Sequence, residues 1–271
     1  MSLTWNASTP EPVPRPGVLQ RLRMVARAVT LVALTYFGII FVVAFNLVER
    51  VVPLGIAHRI TRAWGKLCLW LCGLRVRRVG EPMRHPGAVV ANHTGWIDIF
   101  TLLSADGVYF VSKAEVARWP VVGWLSRQIG TVYIERKRSS AARQASQLHE
   151  RLTAGDRLCF FPEGTSTDGR QVVPFRSTLF AAFFEEGLRE SVWVQPVTLV
   201  YAPRPPLPGS FYGWWGDMAL GPHLAAVFAL SSRAEVTVVH HAPLKVSDYA
   251  DRKALAAAAE AAVRAGLPER G

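Results

Sequence analysis

Two kinds of hydrophobic pattern run along this chain of 271 residues. Residues 28–47, AVTLVALTYFGIIFVVAFNL, carry no charge. Twenty residues at helical rise span roughly 30 Å, the thickness of a hydrocarbon core, so the segment predicts a membrane helix. A soluble helix keeps a polar face over its length, and this one has none. The run exceeds the apolar region of a signal peptide, and no small-residue cleavage site follows it. Residues 54–74 read differently. Arg59, Arg62 and Lys66 recur at helical spacing against Ile60, Leu67, Leu69, Trp70 and Leu71, the pattern of a helix lying in an interface. An ordinary core helix fits that stretch tolerably as well. Cations flank the apolar run on both sides, so charge selects no orientation. Pro53 separates the two segments. We read a helix pair dipped into one leaflet, with a bitopic span followed by a surface helix as the alternative.

From Leu74 onward the period changes. Runs of β-branched and aromatic residues at 74–79, 88–91, 108–111, 131–135, 157–161, 192–201 and 235–240 predict strands. Helical patterns fall at 97–103, 141–154, 178–188, 220–229 and 248–265, the last with Ser247 or Asp248 as its N-cap. The alternation predicts an α/β fold, a mixed central sheet flanked by helices, carrying an N-terminal membrane-embedded two-helix motif. Residues 1–17, rich in proline and small polar residues, have no period. The expected organisation is therefore a disordered leader at 1–20, a membrane-associated helix pair at 21–73 and an α/β domain at 74–271.

Charge narrows the partners. Lysine and arginine total 31 against 20 acidic residues, a net +11 that attracts phosphates, anionic lipid headgroups or acidic carrier proteins. The cations are scattered and no base-stacking motif accompanies them, so nucleic acid is not an expected partner. Cys68, Cys72 and Cys159 have no metal-type spacing and read as structural thiols of a reducing compartment. Adjacent His240 and His241 point to opposite faces of a strand and the other histidines keep no ligand spacing, so no metal is expected.

Candidate chemistry begins where one predicted strand ends. NHTGWID, 92–98, follows the buried run GAVVA. Ligands of open α/β sheets sit beyond the carboxyl ends of strands, and His93 falls there. A neutral imidazole can take a proton from a hydroxyl near neutral pH. Asp98, in the first turn of the next helix, would hold the ring in its working tautomer, with Gly95 allowing the tight turn between them. On spacing alone, a satisfied histidine beside a helix-capping aspartate reads the same residues equally well. Further strands end in GTVYIERKR, 130–138, and FFPEGTSTDG, 160–169, and VPFRS follows at 173–177. There is no G-x-S-x-G elbow, and Cys159 sits inside a predicted strand.

The ordered set NH-x-x-x-x-D (Asn92 to Asp98), G-x-x-x-x-x-R (Gly130 to Arg136), FPEGT (Phe161 to Thr165) and V-x-P (Val194 to Pro196) resembles the four motif blocks of the glycerolipid acyltransferase family, typified by 1-acyl-glycerol-3-phosphate acyltransferase. The resemblance covers roughly residues 25–240. It implies transfer of a fatty acyl group from a thioester, acyl-ACP or acyl-CoA, to a lipid hydroxyl, with no other cofactor and no covalent acyl-enzyme. By match to the blocks, His93 is the general base and Asp98 its orienter. Asn92, Arg136, Glu163, Gly164 and Thr165 then belong to acceptor binding and site architecture. Implied partners are a lyso-lipid acceptor, an acyl carrier protein or coenzyme A thioester, and membrane lipids, at the cytoplasmic face of the inner membrane.

The chain also departs from the pattern. Members that use lysophosphatidate often follow FPEGT with arginine, where this chain has Ser166, and the family's F-K-x-G is here Phe175-Arg176-Ser177-Thr178. Serine cannot replace a bidentate fork to a phosphate. Arg136 and Arg176 could hold either a phosphate or an amino-acid carboxylate. EGTSTDG followed by PFRS, and more loosely YGWWGDMAL at 212–220, are similar to lyso-ornithine lipid acyltransferases. The expected acceptor is an ornithine-type aminolipid, with phosphatidic acid synthesis as the alternative. A non-catalytic membrane-surface lipid-binding protein is the rival from another class; it accounts for the N-terminus but not for the blocks.

Overall fold

The computed structural model describes residues 4–49, 56–119, 122–134 and 141–268. Its helices are α1 (Val18–Glu49), α2 (Ile56–Leu71), α3 (Ile97–Asp106), α4 (Val122–Gln128), α5 (Ala141–Thr153), α6 (Leu220–Leu230) and α7 (Arg252–Ala265). The strands are β1 (Leu74–Val79), β2 (Gly87–Ala91), β3 (Tyr109–Lys113), β4 (Val132–Ile134), β5 (Arg157–Phe160), β6 (Trp193–Ala202), β7 (Ala234–His240) and β8 (Leu244–Lys245). They form one mixed sheet in the order β1-β7-β6-β2-β5-β3-β4, with β8 added to β6. Strands β6, β2, β5, β3 and β4 run parallel, while β7 is antiparallel to β6 and parallel to β1.

β2 lies at the centre and all five of its residues are buried. Alternation sends Ala88 and Val90 to one face, where Phe180, Phe183 and the Leu255, Ala259 and Val263 stripe of α7 cover them. Val89 and Ala91 go to the other face with Cys159, Val197 and the Leu102 and Leu103 side chains of α3. Helices on both faces explain why β2 reads as a continuous apolar run.

Three elements differ from the sequence expectation. α4, seven residues long, is too short to show a period. Residues 177–184 form a 3-10 helix, whose three-residue spacing brings Phe180 edge-on and Phe183 stacked against the Phe160 ring, with centroids at 5.5 and 5.9 Å. The last helix starts at Arg252, because the Asp251 carboxylate accepts from the Lys253 and Ala254 amides and outcompetes Ser247 and Asp248 as the cap.

The N-terminal region departs more. α2 is no free surface helix: it buries Cys68, Leu69 and Leu71, and Gly65 brings its backbone against Leu103 and the Phe100 carbonyl of α3. α1 packs Met24, Ala28 and Leu31 onto the same cluster as Val227 and Phe228 of α6. Arg27 donates from one guanidinium nitrogen to the Phe228 and Ser231 carbonyls at 2.8 and 2.9 Å, satisfying the end of α6. The opposite side of α1 exposes Val18, Leu22, Val25, Val29, Val32 and Tyr36, one apolar stripe at helical spacing. Over Val18–Phe41 the helix is long and apolar enough to cross a membrane.

Residues 4–17, expected to be a disordered leader, form a non-helical strap docked on the α/β domain, and the first helix begins at Val18. Prolines bar a helix here, but they leave an extended chain whose polar groups find partners. The Trp5 amide donates to Thr165 Oγ1 (3.2 Å), Ser8 Oγ to Asp168 Oδ2 (3.3 Å), and Trp215 Nε1 to the Ser8 carbonyl (3.1 Å). All three cysteines are buried free thiols, as their spacing indicates.

Candidate active site

The parallel strands deliver their carboxyl ends to one edge of the sheet: His93 follows β2, Phe161 to Ser166 follow β5, Lys113 ends β3 and Tyr201 lies near the end of β6. His93 is about a quarter exposed and its ring stacks on Phe161, with centroids 4.0 Å apart. Its Nδ1 lies 2.8 Å from Asp98 Oδ2. The Asp98 side chain is fully buried at the start of α3. Its Oδ2 also accepts from the Thr94 amide (2.6 Å) and the Gly95 amide (2.9 Å), and its Oδ1 accepts from the Tyr201 hydroxyl (2.7 Å). Four donors around a helix N-terminus satisfy the buried carboxyl group without solvent. In the tautomer whose Nδ1 donates to Asp98, Nε2 carries the lone pair. Among the described residues no serine or cysteine is hydrogen-bonded to that Nε2.

Gly95 does not serve a left-handed turn. A Cβ there would lie 3.0 Å from the Trp214 Cβ, and the Trp214 amide donates to the Thr94 carbonyl (2.9 Å). The close approach of 210–216 to the His93 loop requires the glycine.

Glu163 is buried. One oxygen accepts from the His93 amide (2.7 Å) and the other from the Val173 amide (2.9 Å). Burial pushes its carboxyl up to about 8, against those two hydrogen bonds that lower it. It fixes the loop that carries His93 and does not reach out toward a ligand. Asn92 was expected beside the substrate, but it is fully buried and spends both ends of its amide on the Leu199 backbone (3.0 and 2.8 Å), locking β2 to β6. Gly164 has φ +68, and a Cβ there would sit 2.7 Å from Arg176 Nε. Only glycine lets that guanidinium lie against the loop. The Arg176 guanidinium has no acidic partner among the described residues, and the neighbouring amide of Phe175 is pinned by Glu260 (2.8 Å). Thr165 turns its hydroxyl to the strap, and Ser166 lies half-buried beside it. Arg136 falls outside the described residues.

Two residues of this edge escaped the sequence reading. Lys113 donates to the Gly164 carbonyl (3.2 Å), placing a second cation beside Arg176. Tyr201 completes the Asp98 shell, supported by Thr101 Oγ1 at 3.1 Å. Both sit at or near strand carboxyl ends, the signal that marked His93, but strand order was needed to bring them there.

An imidazole anchored by a buried carboxylate at the mouth of an α/β sheet is an arrangement chemically able to take a proton from a hydroxyl. Residues 75–200 match the Acyltransferase family, and the chain belongs to that family. It is 46% identical to a lyso-ornithine lipid O-acyltransferase of Rhodobacter capsulatus over 98% of both chains. It is 37% identical to a protein of the same description from Brucella abortus, over 79% of this chain and 83% of that one. The crystal structure of the 1-acyl-sn-glycerophosphate (LPA) acyltransferase PlsC from Thermotoga maritima has the same fold, with a TM-score of 0.64 at 21% identity, over 92% of this chain and 93% of that one.

Proposed function

We propose that this acyltransferase moves a fatty acyl group from acyl-ACP or acyl-CoA to the hydroxyl of a lyso-ornithine lipid, at the cytoplasmic face of the cell membrane and with no cofactor beyond the thioester. The observation that carries acyl transfer is the His93–Asp98 pair, whose Nε2 lone pair is left for the acceptor. In the proposed step, Nε2 takes the proton of the acceptor hydroxyl while its oxygen attacks the thioester carbonyl. An ester C–O bond forms, the C–S bond breaks, and the imidazolium returns its proton to the departing thiolate. Asp98 stabilises the imidazolium in between.

For the acceptor, support comes from the near full-length relatives described as lyso-ornithine lipid O-acyltransferases and from Ser166 in place of a phosphate-binding arginine. Lys113 and Arg176 beside Gly164 offer cations to the amino-acid carboxylate. The exposed apolar stripe of α1 is read as lipid-facing.

One competition assay tests the reading: lyso-ornithine lipid and lysophosphatidate are offered together with one acyl donor, and both products are measured by mass. The aminolipid product should dominate, and Ser166→Arg should shift the ratio toward phosphatidate. His93→Ala should lose on the order of 10² to 10⁴ in rate while vesicle binding persists. A parent enzyme making mainly phosphatidate would overturn the acceptor, and near-parent turnover by His93→Ala would overturn the chemistry.

A further inference from the structure

The strap and the segment 208–226 line a half-open cavity of about 300 Å³, at the small end of ligand pockets, which run from about 300 to 1,000 Å³. Its walls are largely apolar: Val13 on the strap, Pro208, Phe211, Trp215 and Met218 on the segment, and Ala226 on α6. The polar side chains on the wall are already engaged. Ser210 Oγ donates to Glu11 Oε1 (3.1 Å). His223 Nδ1 accepts from Trp96 Nε1 (2.9 Å), which leaves the proton on Nε2 to be donated to the Phe211 carbonyl (3.2 Å). No lysine or arginine lines the cavity. A charged headgroup would meet a single charge there, the Glu11 carboxylate that Ser210 and Arg170 already engage, whereas a hydrocarbon chain needs no partner.

Two features adjoin residues of the cavity wall. On one side Gly213 lines it, and the next residue, Trp214, bonds the Thr94 carbonyl of the His93 loop, while Trp96 of the same loop reaches His223. On the other side the strap leads directly into α1, whose exposed apolar stripe starts at Val18. The strap is also tied to Thr165 and Asp168, in the loop matched to acceptor binding.

We propose that this cavity takes the hydrocarbon chain of the lysolipid acceptor, entering from the lipid along α1, and that the N-terminal strap is the element that completes it. The inference rests on the acyltransferase reading. The acceptor's chain, rather than the donor's, is the occupant because the cavity adjoins the lipid-facing helix and the acceptor loop.

The test uses the full chain in mixed micelles, with a plug, Ala226→Trp. Acceptors and donors of short and long chain are compared by kcat/KM. For the long-chain acceptor the plug should cost about tenfold or more, the effect of leaving two methylenes in water, while the short-chain acceptor and the donor profile stay close to the parent's. A shift in donor chain preference instead, or no change with any substrate, overturns the proposal. If the plug does not fold, the parent protein is labelled with a lyso-ornithine lipid bearing a diazirine at its chain terminus. Mass spectrometry should place the adduct on Trp215 or Met218, and an adduct found only outside the cavity overturns the assignment. Labelling reads binding alone, so a protein that turns over no lysolipid yet is labelled in the cavity would separate failure of the enzymatic reading from failure of this one.

Discussion

At the scale of single residues, the candidate site depends on one carboxylate and its four donors. Asp98→Asn keeps the shape but turns an amide N–H₂ toward groups that are themselves donors, and it releases the tautomer of His93. Activity should fall by about 10⁴, the scale found when the orienting aspartate of a catalytic triad is neutralised. Tyr201→Phe removes one hydrogen bond to the same charge without touching the ring, so it should cost about 1.5–3 kcal/mol of stability and a smaller share of kcat. Measuring kcat and thermal stability for both variants separates the roles. Equal activity losses would show that Tyr201 is needed for more than holding Asp98. Spacing and strand position left the His93–Asp98 pair open between two readings, and the company of the other motif blocks singled it out. The role of Asn92 was not legible, because nothing local distinguishes a residue facing a ligand from one bonding the neighbouring strand.

At the scale of elements, α1 and the strap set where the site sits. The strap bonds to Thr165 and Asp168, while α1 runs along α2 and α6 with one apolar side exposed. A docked strap requires the N-terminus and the site to share one side of the membrane. With the site on the cytoplasmic face, as proposed, a cysteine placed at the exposed Ala7 should react with an impermeant maleimide only after cells are opened. The buried native thiols of Cys68, Cys72 and Cys159 should stay silent, so the signal reports the added residue. Labelling of intact cells would require the strap to be undocked and α1 to span. Hydropathy found α1 because twenty uncharged residues are a strong local signal. It mistook the strap for a leader, since partners some 160 positions away carry no local trace.

At the scale of the molecule, Glu163 couples the active edge to global stability. It ties the β2 loop to the segment at Val173 from inside the fold. Its folded-state value, about 8, lies above its ordinary 4.5, so the folded protein holds this proton more tightly than the unfolded chain. The sign follows: this group's contribution is complete below about pH 4.5 and is lost progressively as pH rises to about 8. Thermal melts of the parent across that window should fall more steeply than those of Glu163→Gln, which has no proton to lose. Parallel slopes would mean that Glu163 is not the coupled group.

The sequence alone determined what depends on near neighbours. Periodicity placed most strands and helices, composition marked the membrane-seeking helix, and the motif blocks pointed to acyl transfer and to His93 and Asp98. Tertiary structure decided what depends on strand order and distant contacts. It brought Lys113 and Tyr201 to the edge where His93 stands, moved Asn92 and Glu163 into the supporting frame, packed α2 on α3, and tied residues 4–17 to the loop that carries Thr165 and Asp168. The physical reason is range: helix and strand patterns repeat within a few residues, whereas a buried polar group takes its partner from whichever segment the sheet order sets beside it.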